Sequence, residues 1–345
     1  MDAEISAARE NSPDPAITEF VRRSALVPGS AAARFERLPG GVSSDIWLVS
    51  TEGRSFCVKR ALPRLRVAAD WRAPVERNAE EAAWIREVAG FMPEAVPSVL
   101  AEDPAGGIFA MQYLPAQSYP VWKEQLRRGR VEPATAVEVG RRLALIHSML
   151  AKLPAAPTEF ATDAIFYALR LEPYLLATAR AHPDRATALE ELAEKTARTK
   201  LTVIHGDVSP KNILVGPNGP VFVDAECAWF GDPAFDLAFC LNHLLLKCLW
   251  VPTAVARLLV AFDALAAKYM AGVDWEPSEE IEGRAARLLP GLFLARIDGK
   301  SPVEYLTEER DKDAVRRVAR SLLARPPACL AEIRQAWATE IQAVD

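Results

Sequence analysis

The chain has 345 residues, of which 50% are hydrophobic and 25% are charged, and this composition is typical of an ordinary globular protein with two domains or two lobes. Its formal net charge of −5 excludes general nucleic-acid binding as a function class. The five cysteines are scattered without a CxxC pair, which excludes a disulfide framework or a cysteine zinc site and indicates a cytoplasmic protein.

The beginning of the chain, residues 1–33, is polar, alanine-rich and interrupted by prolines. It predicts a helical extension with a helix over residues 16–25, and its acidic start is unlike a signal peptide. Membrane spans are not expected either. The most apolar stretch, residues 235–249, is too short and too interrupted by polar residues to cross a bilayer, so it is predicted to be a buried helix.

Residues 34–114 alternate apolar and polar side chains around turn signals, which predicts a small, mostly antiparallel sheet with one helix. This segment is expected to be the N-terminal lobe. The predicted elements are a hairpin with strands over 46–49 and 56–59, a helix over 75–90, and a strand pair around Gly106-Gly107.

Residues 115–345 are expected to form a larger, mostly helical lobe, so the fold class is α+β. The exception is residues 201–224, where short strands enclose the sequence VIHGDVSPKNILV. Amphipathic spacing predicts helices over 133–153, 163–178, 184–198, 252–272, 285–296 and 307–324.

The loop within VIHGDVSPKNILV holds Asp207 and Asn212 between two short apolar runs. Asp207 could accept a proton from an attacking hydroxyl group, and Asn212 could offer its amide oxygen to a divalent cation. Taken alone, the same pattern also fits a polar turn between strands. Further along, Asp224 and Glu226 follow an apolar strand in VFVDAECAWF, and carboxylates at a strand end can bind Mg²⁺.

Two features of the N-terminal lobe suit phosphate binding. Gly40, Gly41, Ser43 and Ser44 form a small, hydroxyl-rich turn whose backbone amides could approach an anion, although a plain hairpin turn looks the same. Lys59 ends the strand FCVKR, where it either faces water or faces inward and pairs with a carboxylate, Glu80 or Glu81, of the following helix. With the loop and the Asp-x-Glu pair, these groups have the order used in phosphoryl transfer.

The sequences HGDVSPKN and VDAECAWFGDPAFDLA resemble the signatures of the aminoglycoside phosphotransferase and choline kinase superfamily. That resemblance covers about residues 34–300 and implies a bilobal protein-kinase-like fold. It also implies a kinase that transfers the γ-phosphoryl group of Mg-ATP to a hydroxyl group of a small metabolite, either sugar-like or an amino alcohol. Protein kinases usually have arginine at the position of Gly206, so a protein acceptor is the less favoured reading.

Further residue roles follow from the same resemblance. It makes Asp207 the catalytic base or the carboxylate that orients the acceptor, and Asn212 and Asp224 the Mg²⁺ ligands, with Glu226 as a further ligand. Lys59, paired with Glu81, would bind nucleotide phosphates under residues 40–44. His205 and Asp236 would brace the catalytic loop. The hinge, whose backbone would read adenine, would consist of Met111, Gln112, Tyr113 and Leu114.

A finer similarity is to methylthioribose kinases, carried by RALPRLRV, by Asp-x-Glu-x-Ala and by ARIDG at residues 295–299. In that family a pair of arginines contacts the sugar; Arg296 matches the second, whereas Ala295 stands at the first. Arg296 and Asp298 are therefore expected to face the substrate, or else to form a salt-bridged helix end. Trp229 follows the metal motif and is a further candidate for the acceptor site, with packing as the alternative.

The sequence leaves other functions open. A nucleotide-binding regulatory protein without catalysis is the main alternative, and the complete set of Lys59, Asp207, Asn212 and Asp224 argues against it. The expected partner is a small hydroxylated substrate, with neither nucleic acid nor membrane involved. The choice between ATP and GTP, the acceptor itself and the oligomeric state are not encoded in any pattern that we recognise.

Overall fold

The computed structural model describes residues 12–28, 32–39, 43–66 and 71–344. The chain divides into two compact units, Met1–Pro115 and Ala116–Asp345, which we call the N-terminal and C-terminal units. Gly40 and Gly41, two of the predicted phosphate-binding residues, lie outside the described residues.

The N-terminal unit is built on one five-stranded antiparallel sheet with the strand order β1-β2-β3-β5-β4. The strands β2 and β3 form the predicted hairpin, in which Ser50 pairs with Ser55 across the turn. Its helices are α1 (Pro15–Arg23) and α2 (Arg77–Ala89), and its strands are β1 (Arg34–Arg37), β2 (Ser44–Ser50), β3 (Ser55–Ala61), β4 (Val99–Asp103) and β5 (Ile108–Gln112).

The two faces of β3 have different surroundings, because successive side chains along a strand point to opposite faces. Phe56 and Val58 belong to the hydrophobic core that also includes Ile17 and Phe20 of α1. Lys59 points to the other face, where it contacts Glu81 of α2. The helix α2 ends at Gly90, as its sequence predicts, and it holds a carboxylate against a lysine within the sheet.

The C-terminal unit is largely helical, and α9 is its central helix. Each residue from Ala234 to Cys248 of α9 is buried, as expected for a helix that is apolar on nearly all sides. The α-helices of this unit are α3 (Trp122–Arg127), α4 (Pro133–Ala151), α5 (Ala156–Glu159), α6 (Asp163–Phe166), α7 (Ala177–Ala181), α8 (Ala186–Arg198), α9 (Ala234–Trp250), α10 (Val255–Met270), α11 (Ser278–Asp298), α12 (Glu309–Ala324) and α13 (Leu330–Val344).

A π-helix, Tyr167–Leu176, connects α6 to α7 and contains Pro173. Proline has no N–H to donate to the preceding turn, and a widened turn is one way for a helix to continue past it. The sequence pattern predicts a helix here but gives no sign of its π geometry. This geometry matters because the segment contains Arg170, which contacts Gly206 and Asp207.

Four short strands complete the C-terminal unit and form two separate pairs. Strand β6 (Thr202–Ile204) pairs with β9 (Trp229–Gly231), and β7 (Ile213–Gly216) pairs with β8 (Gly219–Phe222), both antiparallel. The loop between β6 and β7 is thus held at each end by a different pair. The sequence pattern does not predict strand β9 or the helices α3, α5 and α13. Within the described residues, none of the helices is both long and apolar enough to cross a bilayer.

Candidate active site

The loop between β6 and β7 is held by one buried carboxylate. Asp236, in the first turn of α9, accepts hydrogen bonds from the backbone N–H groups of His205 and Gly206, both at 2.8 Å. His147 also contacts Asp236 through Nε2 at 3.2 Å, and its Nδ1 lies 2.8 Å from the Tyr269 hydroxyl. These contacts fix the start of the loop relative to α9 and support the expected bracing role of Asp236.

Gly206 is required by the loop geometry. Its φ of +75° is in the left-handed region, and a Cβ atom there would lie 2.5 Å from the carbonyl oxygen of Cys227. A side chain at this position would therefore force the loop away from the segment that follows Asp224.

His205 has a defined tautomer because its two ring nitrogens have different partners. The backbone N–H of Asp207 donates to Nδ1 at 3.1 Å, so Nε2 carries the proton and donates to the carbonyl of Val223 at 3.1 Å. Burial lowers the pKa of His205, which keeps the ring neutral and suited to these two bonds. The imidazole thus links the loop to the residue before Asp224.

Asp207 is buried, and three donors converge on one of its carboxylate oxygens. Oδ2 lies 3.0 Å from Arg170 Nη2, 3.1 Å from Lys211 Nζ and 2.8 Å from Asn212 Nδ2. Burial opposes ionisation, but the charges of Arg170 and Lys211 outweigh it, so the pKa of Asp207 lies below its ordinary value. No donor contacts Oδ1 within the described part of the chain, which leaves that oxygen able to accept a hydrogen bond from a hydroxyl group.

Arg170 is the functional candidate that sequence reasoning missed. It is buried in the π-helix, and besides Asp207 it binds the backbone carbonyls of Gly206 and Leu169 through its Nε and Nη1 atoms. One guanidinium thereby contacts both the backbone of the loop between β6 and β7 and the side chain of Asp207. Arg170 lies 37 positions before Asp207 and belongs to no motif, so only the fold reveals the contact.

The predicted metal ligands are linked through the backbone. The N–H of Val223 donates to the carbonyl of Asn212 at 3.0 Å, and Asp224 follows at once with a φ of +68°, a conformation that few residues other than glycine adopt. The amide nitrogen of Asn212 is bonded to Asp207, and its Oδ1 has no donor among the described residues. Glu226 is buried nearby, and its charge helps to raise the pKa of Arg170 against the effect of burial.

These oxygens fit Mg²⁺ chemically. An amide oxygen and a carboxylate are hard donors, and Mg²⁺ on a nucleotide usually takes one or two protein ligands, with phosphates and waters supplying the rest. Across the described ranges, no group of three or more His, Cys, Asp or Glu side chains forms a metal site by itself. The donor set is therefore suited to a cation that arrives with phosphate.

In the N-terminal unit, Lys59 and Glu81 form a buried ion pair of 2.5 Å, each side chain being 1% exposed. The structure thus resolves the choice between the two predicted carboxylates in favour of Glu81. Ser43 and Ser44 are both buried, and the carbonyl of Ser43 accepts a hydrogen bond from Arg77 of α2. Arg77 therefore fixes the chain beside the predicted phosphate-binding turn.

The predicted hinge begins within β5 and continues to the end of the unit. Met111 and Gln112 are the last residues of β5, and the N–H of Gln112 donates to the carbonyl of Ser98 at 2.8 Å. For Tyr113 and Leu114, no acceptor of the backbone N–H lies within the described part of the chain. These two groups remain able to bind the edge of a base.

Two of the predicted substrate residues are not placed to contact a ligand. Trp229 is 1% exposed, and its ring is stacked on Phe166 at 4.1 Å, so packing occupies it. Asp298 binds Arg316 at 2.7 and 2.9 Å and His182 at 2.9 Å, which uses both carboxylate oxygens in a salt-bridged helix end. The substrate interpretation of both residues is replaced by these structural roles.

Arg296 differs from them. It is buried in α11, and its Nη1 binds the Tyr174 hydroxyl at 3.1 Å and the Ser301 hydroxyl at 2.9 Å. Its Nε is buried without a hydrogen-bond partner among the described residues. Tyr174 lies one turn beyond Arg170 in the π-helix, so Arg296 reaches the elements that surround Asp207.

The sequence model of the phosphotransferase enzyme family, APH, matches residues 34–275. Two similar curated relatives are methylthioribose kinase 1 of Oryza sativa subsp. japonica, 24% identical over 243 residues, and the methylthioribose kinase of Escherichia coli O45:K1 (strain S88 / ExPEC), 26% identical over 255 residues. The matches cover 62% and 60% of this chain, but only 56% and 59% of those relatives. The chain thus spans less than two thirds of the curated relatives that it matches.

Two solved structures show the fold. The amicoumacin kinase hAmiN in complex with AMP-PNP, Ca²⁺ and Ami matches with a TM-score of 0.56 and 12% identity, over 97% of this chain and 99% of that one. A choline/ethanolamine kinase family protein from Mesorhizobium loti matches with a TM-score of 0.50 and 17% identity, over 94% and 99%. The predicted protein-kinase-like fold of class α+β is confirmed.

Proposed function

Since the chain belongs to the phosphotransferase enzyme family, we propose that it is a small-molecule kinase that transfers the γ-phosphoryl group of ATP to a hydroxyl group of a metabolite. The observation that carries this proposal is the environment of Asp207. Three donors hold one oxygen of this ionised carboxylate, and the other oxygen is left for a hydroxyl group. Such an arrangement orients an acceptor, and a regulatory protein without catalysis has no need of it.

Asp207 orients the acceptor hydroxyl and receives its proton. The acceptor oxygen forms a bond to the γ-phosphorus while the bridging bond to ADP breaks, and the proton passes to Asp207 and then to solvent. Because its pKa is held low, Asp207 is a weak base before the reaction. Its main contribution is therefore position, and the proton transfers late, as the new bond forms.

The remaining groups neutralise and hold the nucleotide. Lys59, oriented by Glu81, binds nucleotide phosphates, and the turn that includes Ser43 and Ser44 covers them. The backbone N–H groups of Tyr113 and Leu114 bind the adenine edge, next to Met111 and Gln112.

Asn212 and Asp224 would hold Mg²⁺, and Glu226 is a further candidate ligand. The bound ion supplies positive charge to the phosphate oxygens. His205 and Asp236 keep the loop that carries Asp207 and Asn212 in place. A cytoplasmic location remains a prediction from the cysteine pattern.

The test is ADP release with Mg-ATP and a panel of neutral, anionic and cationic hydroxylated compounds, with D207N as the inactive control. The matched control D263N removes an exposed carboxylate of α10 and is expected to behave like the unchanged protein. Acceptor-dependent ADP release that is lost in D207N supports the proposal. Phosphate that appears only on added proteins would favour a protein kinase. Tight Mg-ATP binding with no turnover on any acceptor would favour a regulatory protein.

A further inference from the structure

A cluster of basic side chains lies in the C-terminal unit beside the elements that hold Asp207. We call it the basic cluster and define it as Lys123 of α3, His243 and Lys247 of α9, and Arg296 of α11. The residues Phe239, His243 and Lys247 follow each other at intervals of four along α9, so they share one helix face. The catalytic mechanism described above uses none of these four residues.

Three members of this cluster, His243, Lys247 and Arg296, are buried, and each has a polar group with few or no hydrogen-bond partners among the described residues. Lys247 is 1% exposed, and its Nζ lies 3.5 Å from the Tyr305 hydroxyl, at the outer limit of a hydrogen bond. Within the described residues no carboxylate lies within ion-pair distance of Lys247. Both ring nitrogens of His243, which is 5% exposed, lack a hydrogen-bond partner there, as does Nε of Arg296. Burial of such groups without partners is unfavourable, so a protein keeps them for a reason other than stability.

The charge of the cluster is positive. Glu304 is the carboxylate that faces it, and Glu304 already pairs with Lys123. The rings of Trp250 and Tyr305 are stacked at 4.3 Å, and the centre of the Tyr305 ring lies 4.8 Å from Lys247 Nζ, which partly compensates an ammonium group. Across the described ranges, Lys247 and Arg296 have no carboxylate within ion-pair distance.

The cluster is connected to the catalytic loop by direct contacts. The guanidinium of Arg170, which binds Asp207, lies 5.8 Å from the centre of the Tyr174 ring, and the Tyr174 hydroxyl binds Arg296. The Tyr174 ring packs on Phe239 at 5.5 Å, and Phe239 packs on His243 at 5.2 Å.

Electrostatics agree with this path. Burial first, and then the charges of Arg296, Lys247, Lys211 and Lys123, hold the pKa of His243 well below its ordinary value. Of these groups, Lys211 lies 3.1 Å from Asp207 Oδ2.

We propose that the basic cluster binds an anionic group of the acceptor, a carboxylate or a phosphate, so that the preferred substrate is a hydroxylated acid. This inference rests on the proposed function, since it names the substrate class of that same reaction. An oxyanion would supply a charged acceptor to Lys247, whose one hydrogen bond among the described residues is the long contact with Tyr305, and an acceptor to a ring N–H of His243, which has none there. A quaternary ammonium or a polyamine would be repelled, and a neutral sugar would leave the buried cation uncompensated.

The test is calorimetric binding to the protein saturated with Mg-AMP-PNP, so that turnover is not needed. The probes are matched sets: ribose, ribonate and ribose 5-phosphate; glycerol, glycerate and glycerol 3-phosphate; and choline as a cation. The variants are K247M, in which the amine is removed at similar volume, and K123M at the edge of the cluster. The control is K268M, an exposed lysine of α10. Thermal unfolding of each variant verifies that it is folded.

Binding of the anionic members at least about tenfold tighter than their neutral partners, with a loss of about tenfold in K247M and no change in K268M, supports the inference. Preference for carboxylate over phosphate, or the reverse, identifies the group. Tighter binding of neutral or cationic probes, no binding of any anion, or unchanged anion binding in K247M would overturn it.

The two proposals fail in different ways. Phosphorylation of a neutral or cationic acceptor in unchanged amount by K247M would remove the anion site and leave the kinase function intact. Anion binding that depends on Lys247, without transfer to any acceptor, would keep the anion site and remove the kinase function.

Discussion

Arg170 Nη2 lies 3.0 Å from Asp207 Oδ2, and the same guanidinium donates to the backbone carbonyl of Gly206. A single buried cation from the π-helix therefore orients the carboxylate and the loop that carries it. Arg170 is a positioning residue in this account, since it acts on the acceptor only through Asp207.

Replacement of Arg170 by methionine should lower kcat by about tenfold to a hundredfold with little change in nucleotide affinity, because Asp207 loses its orientation but the phosphate-binding residues stay in place. The variant R170K should recover part of kcat, since lysine restores the charge but not the forked contact. Steady-state kinetics measures kcat of each variant, and titration with Mg-ADP measures its nucleotide affinity. A parallel loss of nucleotide binding and thermal stability, with no recovery in R170K, would reduce Arg170 to a purely structural role.

Replacement of Asp224 by alanine should abolish the Mg²⁺-dependent part of nucleotide binding, because its carboxylate is the charged member of the proposed ligand pair. Titration of ATP with and without Mg²⁺ measures this difference. In the unchanged protein, removal of Mg²⁺ with a chelator should weaken ATP binding, and in D224A it should have no further effect. Equal Mg-ATP affinity in the two proteins would exclude Asp224 as a ligand.

The buried pair of Lys59 and Glu81 allows a double-variant experiment. The variant K59M should lose about 3–5 kcal/mol of unfolding free energy, because it leaves a buried carboxylate without its cation. The double variant K59M/E81M should be more stable than K59M, yet equally poor in nucleotide binding. Denaturant unfolding and ATP titration of both variants check this. Restored ATP binding in the double variant would show that Lys59 does not contact phosphate.

The lowered pKa of Lys247 predicts how the free energy of unfolding depends on pH. Burial, and then the charge of Lys123, lowers the pKa of Lys247 in the folded protein to about 7, whereas an unfolded lysine has a pKa of about 10.4. Between these two pKa values Lys247 is protonated in the unfolded chain and mostly deprotonated in the folded protein. Its contribution to stability should therefore rise with pH from about 7 to about 10. The groups that face its amine are Lys123 of α3, Arg296 of α11, Cys240 and His243 of α9, and Glu304 and Tyr305 of the segment after α11.

The variant K247M should remove this slope and raise the unfolding free energy near neutral pH, since a buried ammonium is replaced by an apolar side chain. Urea unfolding at several pH values, with K268M as control, measures the difference. An unchanged slope in K247M would mean that Lys247 keeps an ordinary pKa in the folded protein.

The residues that could be predicted from the sequence are those whose chemistry follows from local pattern. Strand alternation makes Lys59 a candidate for the inward face, and short motifs between apolar strands make Asp207, Asn212 and Asp224 candidates for the site. The sequence leaves Asp298 open between a substrate contact and a salt-bridged helix end, because its partner Arg316 lies 18 positions later in the chain. The sequence also leaves Trp229 open between the acceptor site and packing, because strand β9, which buries it, is too short to be recognised.

Arg170 and Lys247 could not be found in this way, for a physical reason. An arginine in an amphipathic helix and a lysine near a helix end are usually solvated, and their patterns here look ordinary. Their burial depends on the π-helix around Pro173 and on the packing of Tyr305 against Trp250, both of which are tertiary features. The site residues that act through others are thus the ones that only the structure reveals.

The most direct test of the central claim is to measure turnover and Mg-ATP affinity of D207N side by side with the unchanged protein, on an acceptor found in the panel. The account predicts that kcat falls by about two orders of magnitude or more while Mg-ATP affinity stays the same. Turnover near that of the unchanged protein would contradict the role of Asp207 and, with it, the proposed mechanism.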